Sequence, residues 1–505
     1  MMPNDTFITL KPQPGAWRNG TRYEAKGRWY DVNLVRWLNG RLRPIGGWQR
    51  FTATALGNPV RGALAWRDNA QYRNLAMGTA DKLFYHDGGK ETDISPAGLV
   101  AGRINSLYGL GYGAGDYGQD AYGTERTAGG LVLDACTWSM DNFGQILLAC
   151  STADGRIFEW DPSVAPATAT PVTNAPTNCT GVFVTDERHV VALGAGGNPR
   201  RVAWSSEENR NLWAAAATNT AGDLDVKSVG KLLRGLKAPG GYLLFTEADV
   251  HLMRYVGAPY VYGVDRIGDS NGLAGPNAAV SVGDRVVWMG ENAFWSYDGV
   301  IRQIPCDVNE YVFRDINILQ GVKVAGGHNS EFGEVWWFYP SKNSVENDRY
   351  VIWNYRENWW SFGQLQRTFW LDKDVWNYAI AGDASGNIFQ HEQGWTASGA
   401  TRVGQIYAET GGIEIGKGER FMDVEQLLPD GCPNVPSCTQ AFFKLRRTPM
   451  DAVFRTAGPY TFGQADGYTP ARFSARQVEM RIEATRDEPF QFGEMRALVK
   501  PGSGR

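Results

Sequence analysis

Five histidines, His86, His189, His251, His328 and His391, are the side chains in this 505-residue sequence best suited to acid–base or metal chemistry. No two of them stand at the spacing that puts a pair of ligands on one metal ion, and no Cys or His pair recurs elsewhere to complete a zinc site. Three of them, His86, His251 and His391, fall in or beside hairpin-like segments, where a turn or edge histidine is ordinary. Aspartates near strand ends are the second candidates: Asp154, Asp161, Asp265, Asp269, Asp298 and Asp383. Glycoside hydrolysis would need two of them facing each other across a cleft, one with a raised pKa. Most belong to Asp-Gly or Asp-x-x-Gly turns, where the carboxylate caps its own turn. The glycine runs Gly109–Gly115 and Gly194–Gly197 lack both a strand-to-helix context and a following Lys-Ser or Lys-Thr, so they read as loops and not as phosphate cradles. The expectation is no catalytic residue, no metal, no cofactor and no enzyme.

What must position these residues is set by composition. The formal charge is −4, so the whole chain is not an electrostatic binder of nucleic acid. The 61 glycines and 19 tryptophans, with few stretches of helical period, favour many short strands joined by tight turns. Cys136, Cys150, Cys179, Cys306, Cys432 and Cys438 are too scattered for a disulfide scaffold, and only the last two are near neighbours in sequence. They read as mostly reduced, buried thiols. The N-terminus lacks the basic start and apolar run of a signal peptide, and no apolar stretch is long enough for a membrane span. A soluble protein is expected.

Three textures follow one another. Residues 1–56 form a basic, aromatic-rich arm in which Arg18, Arg22, Lys26, Arg28, Arg36, Arg41, Arg43 and Arg50 are opposed only by Glu24 and Asp31 between Gly15 and Arg50. Trp17, Trp29, Trp37 and Trp48 interleave with them. Such a pattern can bind nucleic acid through phosphates and stacked bases. The blander alternative packs the aromatics into a sheet or a subunit interface and pairs the arginines with acids. The candidate interface residues are therefore Trp17, Arg18, Arg22, Trp29, Arg36, Trp37, Arg41, Arg43 and Trp48. Removing residues 1–50 is expected to abolish docking and leave the rest folded.

Residues 57–400 repeat a unit of strand, Gly/Asp/Asn turn and aromatic-bearing strand about seven times. Arg285–Met289 leading to Phe294–Tyr297 and Val335–Tyr339 leading to Tyr350–Tyr355 are the clearest instances. The aromatics that end successive units are mostly one propeller blade apart, and a hairpin cannot bury its aromatic face alone. Stacking four-stranded sheets radially does bury it, so the fold class is all-β: a β-propeller of six or seven blades. Residues 401–505 alternate as strands, with Val478, Met480 and Ile482 facing a core and Gln477, Glu479, Arg481 and Glu483 facing solvent. They read as a separate, β-sandwich-like C-terminal domain.

The order of segments from about 230 to 500 resembles the packaged-DNA stabilisation and tail-nozzle (tail hub) proteins of short-tailed bacteriophages. The resemblance is carried by Leu243–Val250, Gly272-Leu273-Ala274-Gly275-Pro276, Val286-Val287-Trp288, Trp295–Ile304, Tyr350–Tyr355 with Trp359-Trp360, and the closing pair Val478–Glu483 and Met495–Leu498. It implies a structural virion protein, assembled in the host cytoplasm, that forms a homo-oligomeric ring, commonly of six copies. Such a ring sits below the portal and its adaptor, extends the DNA channel, retains packaged genome and guides its ejection. The implied partners are those connector proteins, tail fibre, tailspike or plug proteins, and double-stranded DNA in transient, non-specific contact. The alternatives are a monomeric carbohydrate- or protein-binding propeller and, third, a propeller glycosidase.

Overall fold

Alternation within single strands explains how the repeats stack. In Glu334–Pro340 all seven residues are buried, and Trp336 and Trp337 point to opposite faces as consecutive strand residues must. On one face Trp336 stacks on Trp370 at 5.1 Å and 11°. On the other Trp337 meets Phe294 at 4.8 Å. A strand buried on both faces reads as a continuous hydrophobic run, and each such run here is the middle of a blade.

The computed structural model describes residues 6–108, 132–414, 421–431, 438–448, 451–463 and 467–502. Seven four-stranded antiparallel sheets follow one another from Gly62 to His391. Their inner strands are Gly62–Arg67, Trp138–Phe143, Gly181–Val184, Leu232–Ala238, Ala279–Val282, Ala325–Asn329 and Phe369–Leu371. Each inner strand packs on the next, and the seventh packs on the first, closing the ring. The fold is a β-propeller of seven blades. The seventh blade takes its outer strand, Trp48–Arg50, from far upstream, with Phe389 paired to Arg50 and His391 to Trp48. The one described α-helix, Asn309–Asp315, lies in the connection between the fifth and sixth blades.

Two close approaches make the blades fit. A Cβ on Gly78 would lie 2.3 Å from the Trp138 indole of the second blade, and one on Gly327 would lie 2.4 Å from Trp370 of the seventh. An aromatic from one blade thus occupies a hollow that only glycine leaves in its neighbour.

The N-terminal arm is not a separate unit, which corrects the expectation for residues 1–56. Val35–Leu38 and Arg41–Pro44 join a sheet with Phe492–Pro501, Met422–Gly431 and Thr469–Ala475, alongside Thr6–Leu10. Gln13–Ala16 and Arg28–Asn33 join a second sheet with Tyr407–Thr410, Gln477–Ala484, Thr439–Arg446 and Arg455–Thr461. The inner faces meet through Trp29 on Phe492 at 6.2 Å and Phe443 on Phe473 at 4.8 Å, so the two ends of the chain build one β-sandwich. The physical reason is that the arm's apolar residues have no core of their own. Trp29, Val32, Val35, Trp37 and Leu42 are all buried in the sandwich. Removing residues 1–50 would therefore take strands from the sandwich and the closing strand from the ring.

The alternation at 477–483 also needs correcting. Val478, Met480 and Ile482 are in the core, but Gln477 and Glu479 are buried as well. Glu479 accepts from Arg446 Nε at 3.0 Å and from Arg22 Nη1 at 3.3 Å. The second face is covered by the returning arm and its arginine.

The sandwich lies against the outer strand of the sixth blade, Trp359–Gln364. Ser361 Oγ donates to the Val35 carbonyl at 2.8 Å, and the Leu34 N–H donates to Tyr350 Oη at 2.8 Å. Arg36 fastens the junction from the sandwich side, and Arg402 donates to the carbonyls of Ile45, Gly46 and Trp395 at 2.9–3.0 Å. Cys136, Cys150 and Cys179 are buried free thiols and Cys306 is free and half-buried, whereas Cys438 is disulfide-bonded.

Candidate protein-interaction surface

The candidate interface residues of the arm are mostly occupied inside the chain. Trp29, Trp37 and Arg36 are buried. Arg36 Nη1 donates to Glu392 at 3.1 Å and its Nη2 to Glu334 at 3.1 Å, while the guanidinium lies 3.7 Å over Phe332. Burial opposes its charge, but the two carboxylates prevail and hold it firmly protonated. Glu334 in turn is pushed up, by burial first, against the pull of Arg36. Arg18 donates to Asp31 at 3.1 Å and sits 4.0 Å over Tyr311; Arg22 is bonded to Glu409. The acids that answer this basic arm are thus the chain's own. Trp48 stacks on His391 and lies under Arg367 and Arg402. Trp17 and Arg43 are half-buried, and Arg41, bonded to Gln491 at 3.2 Å, is the exposed member of the set.

The histidines and Asp249 make bonds or ring contacts within the blades. Asp249, buried at the start of the third strand of the fourth blade, accepts from Ser228 and Thr246 hydroxyls at 2.6 Å and contacts His251 Nε2 at 3.0 Å. Burial works to raise its pKa, yet these three bonds outweigh it and hold the carboxyl below its usual range. Ser228 and His251 each bond the aspartate and not each other, so this is a blade-locking cluster and not a nucleophilic triad. His189 Nδ1 bonds the Ser205 carbonyl at 2.7 Å. His391 receives Arg367 Nε at 2.7 Å, and burial first, then Arg367, Arg402 and Arg36, keep it neutral. His86 packs on Phe51 and Trp376 and is likewise lowered by burial. His328 lies between Asp372 at 3.2 Å and Tyr355 Oη at 3.1 Å.

The six candidate aspartates are not gathered in one cleft. Asp154 pairs with Arg156, Asp269 with Arg266, and Asp298 with Arg302. Asp161 caps Ser163, and Asp383 caps Ser385 and Asn387, each with bonds of 2.9 Å. Asp265 is exposed on the outer strand of the fourth blade. Gly194–Gly197 form a short 3-10 turn with Ala195 buried. Gly109–Gly115 lie outside the described residues, as does Cys432. No group of three His, Cys, Asp or Glu that could hold a metal ion occurs among the described residues. None of their helices is long and apolar enough to cross a membrane.

The expectation that no Gly-x-Ser-x-Gly pattern occurs is corrected by Gly268-Asp269-Ser270-Asn271-Gly272, which has the spacing of a nucleophile elbow. Ser270 has the positive φ of 57° such an elbow uses, but the outer strand that ends at Asp269 runs into a loop with no helix behind it. Ser270 does open onto a cleft of about 470 Å³ between the fourth and fifth blades, lined by Glu247, Glu291, Asn292 and the half-exposed Trp295. No histidine lines it, so the serine has no base there. A second cleft, of about 620 Å³, opens on the same face beside Cys136, Thr152, Lys231 and Pro276.

One hairpin carries three exposed apolar side chains close together in the chain. In the fourth blade the outer strands, Asp249–Gly257 and Val261–Asp269, are nine residues each, against four in the fifth blade. Pairing with the neighbouring strand ends at Met253, so Arg254–Gly257 run on by about 13 Å at the strand rise. Tyr262, buried, anchors this extension to the third blade through Trp204 and Thr185. Outward it shows Tyr255, Val256 and Tyr260, 46%, 57% and 78% exposed.

No family model matches the chain, and no curated protein matches it. Solved structures do resemble it at low identity. A catalytically inactive virginiamycin B lyase from Staphylococcus aureus with quinupristin is 7% identical, covering 68% of this chain and 98% of its own, with a TM-score of 0.43. The β-propeller domain of Myceliophteria thermophila Cps50 (Swd1) is 9% identical over 68% and 99%, with a TM-score of 0.39. YCF48 bound to D1 peptide is 8% identical over 69% and 97%, with a TM-score of 0.40. Scores and identities of this size carry nothing about function. The blade count rests on the strand pairing.

Proposed function

We propose that this chain works by binding protein and not by catalysis, as a structural propeller that assembles with copies of itself. The observation that carries this reading is the blade-four hairpin, which presents Tyr255, Val256 and Tyr260 on an anchored support. Apolar and aromatic side chains held rigidly in solvent are what protein interfaces are built around. The hairpin falls within the segment that resembles the tail-nozzle family. In its specific form the proposal is therefore a bacteriophage tail nozzle or hub: a ring below the portal and adaptor that retains packaged DNA and guides it out. The propeller's own axis is no conduit for it. The cavity there is about 110 Å³, room for several waters and not for a duplex, so any DNA channel would lie between copies.

Electron microscopy of the purified protein, alone and with its candidate portal–adaptor complex, tests this. A ring with rotational symmetry is expected, lost in the variant Y255S/Y260S while its circular dichroism is unchanged. Isolated discs that never dock would overturn the ring. A monomeric carbohydrate-binding propeller is the second reading, favoured by the cleft where Trp295 stands beside Glu247 and Glu291. Glycan-array binding abolished by Trp295→Ala would establish it.

A further inference from the structure

The centre of the propeller holds a cation with no ion-paired carboxylate among the described residues. Arg234, on the inner strand of the fourth blade, turns into the axial cavity of about 110 Å³ that it shares with Met140, Asn277, Gly326 and Phe369. Its Nη1 donates to Asn277 Oδ1 at 2.7 Å and to the Pro276 carbonyl at 3.3 Å. Its Nε is buried with no hydrogen-bond partner, and Nη2 makes no bond among the described residues. Among the described residues no carboxylate is ion-paired to it. The nearest acid to act on it, Asp141, is engaged by the Val184 N–H at 2.8 Å and the Asn142 N–H at 2.8 Å. Burial lowers the pKa of Arg234 against the pull of Asp141.

The surroundings do not supply the missing charge. The Asn277 that orients Arg234 also donates its Nδ2 to the Arg61 carbonyl at 2.8 Å. Arg61 itself is already matched by Glu346, which accepts from its Nη1 at 2.9 Å. Lys323 lies 3.8 Å from the same Glu346, so that carboxylate is shared by two cations. Arg234 is half-buried as a residue, with its Nε enclosed and unbonded; a cation partly withdrawn from water without a counter-charge is costly, and natural proteins answer it with an opposite charge or a bound ion.

We infer that the axial cavity binds one small tetrahedral oxyanion of the phosphate or sulfate type, held by the Nε–Nη2 edge of Arg234. The free edge favours an oxyanion over a halide. Two parallel N–H groups of a guanidinium match two oxygens of one anion, which a halide cannot offer. The cavity admits an ion of that size and nothing as large as a nucleotide. The occupant ties the fourth blade to the fifth through Arg234 and Asn277, and through the Arg61 carbonyl to the first. The site is independent of whether the chain forms a ring.

The test is calorimetric titration of the full chain in chloride buffer with inorganic phosphate and, separately, with sulfate at matched ionic strength. One saturable site per chain is expected for at least one of them, with no heat from added chloride. Arg234→Gln should weaken binding at least tenfold, and Arg234→Lys, which keeps the charge without the fork, should weaken it too. Because such salts stabilise any protein by exclusion from its surface, a general rise in melting temperature does not count. The rise must saturate, and it must vanish in Arg234→Gln, whose folding is checked by circular dichroism. Absence of saturable binding, or equal binding by Arg234→Gln, overturns the inference.

Discussion

Replacing Arg36 by methionine removes the cation at the junction of sandwich and propeller and leaves two buried carboxylates facing the gap. Glu334 and Glu392 are 1% and 8% exposed, and both are ion-paired to this one guanidinium. The remaining donors are the Trp336 indole to Glu334 at 3.0 Å, and Asn329 and the Gly46 N–H to Glu392 at 3.3 and 3.0 Å. Breaking a buried pair by removing one partner costs about 3–5 kcal/mol, since the charge left behind stays out of water. Arg36→Met should lose that much in urea unfolding followed by tryptophan fluorescence. The sign with pH is fixed by Glu334, whose pKa burial already raises above its unfolded value. Without Arg36 it rises further, so the folded state takes up a proton more readily than the unfolded one. The variant's deficit should therefore shrink as pH falls from 8 towards 5 and grow as pH rises through the raised pKa. Adding Glu392→Gln should recover part of the loss at pH 8. A loss under about 1 kcal/mol, or a deficit that is flat with pH and unrelieved by Glu392→Gln, refutes the reasoning.

Gly327→Ala places a methyl carbon 2.4 Å from Trp370 and should cost about 1–3 kcal/mol by overpacking, read as a lower urea midpoint with an unchanged m-value. Lys323, its side chain fully buried, has its pKa lowered to about 8 by burial first and then by Arg61. Its folded pKa lies below its unfolded one, so stability should rise with pH between about 8 and 10.5, and Lys323→Gln should flatten that segment of a denaturation-versus-pH curve. Removing residues 1–50 deletes Trp48–Arg50 and five sandwich strands whole, and should abolish the cooperative thermal transition. A cooperative transition that survives would mean the ring closes without its N-terminal strand.

How far the sequence reaches can be judged residue by residue. Local pattern carried the blades, because alternation and turn chemistry are short-range. Arg285–Met289 with Phe294–Tyr297, and Glu334–Pro340 with Asn347–Asn354, are adjacent in chain and in sheet alike. It also carried the aspartate turns, since Asp383 bonds N–H groups only two and four residues away. Long-range pairing was not legible. Nothing in Trp48-Gln49-Arg50 announces a partner more than 300 residues later, and the arm reads as a free basic segment because its answering acids, Glu334, Glu392, Glu409 and Glu479, are equally remote.

By itself, then, the sequence determined the periodic part: short, aromatic, glycine-turned strands that cannot be stable unless they stack. Tertiary structure alone decided that the count is seven, that the two ends of the chain share one sandwich, and that Arg36 is a buried fastener and not a binding residue. It alone set Arg234 on the axis with no ion-paired carboxylate among the described residues. The reason is that strand patterns report which face of a segment seeks burial, whereas the identity of what buries it, or neutralises it, is settled only when distant segments meet.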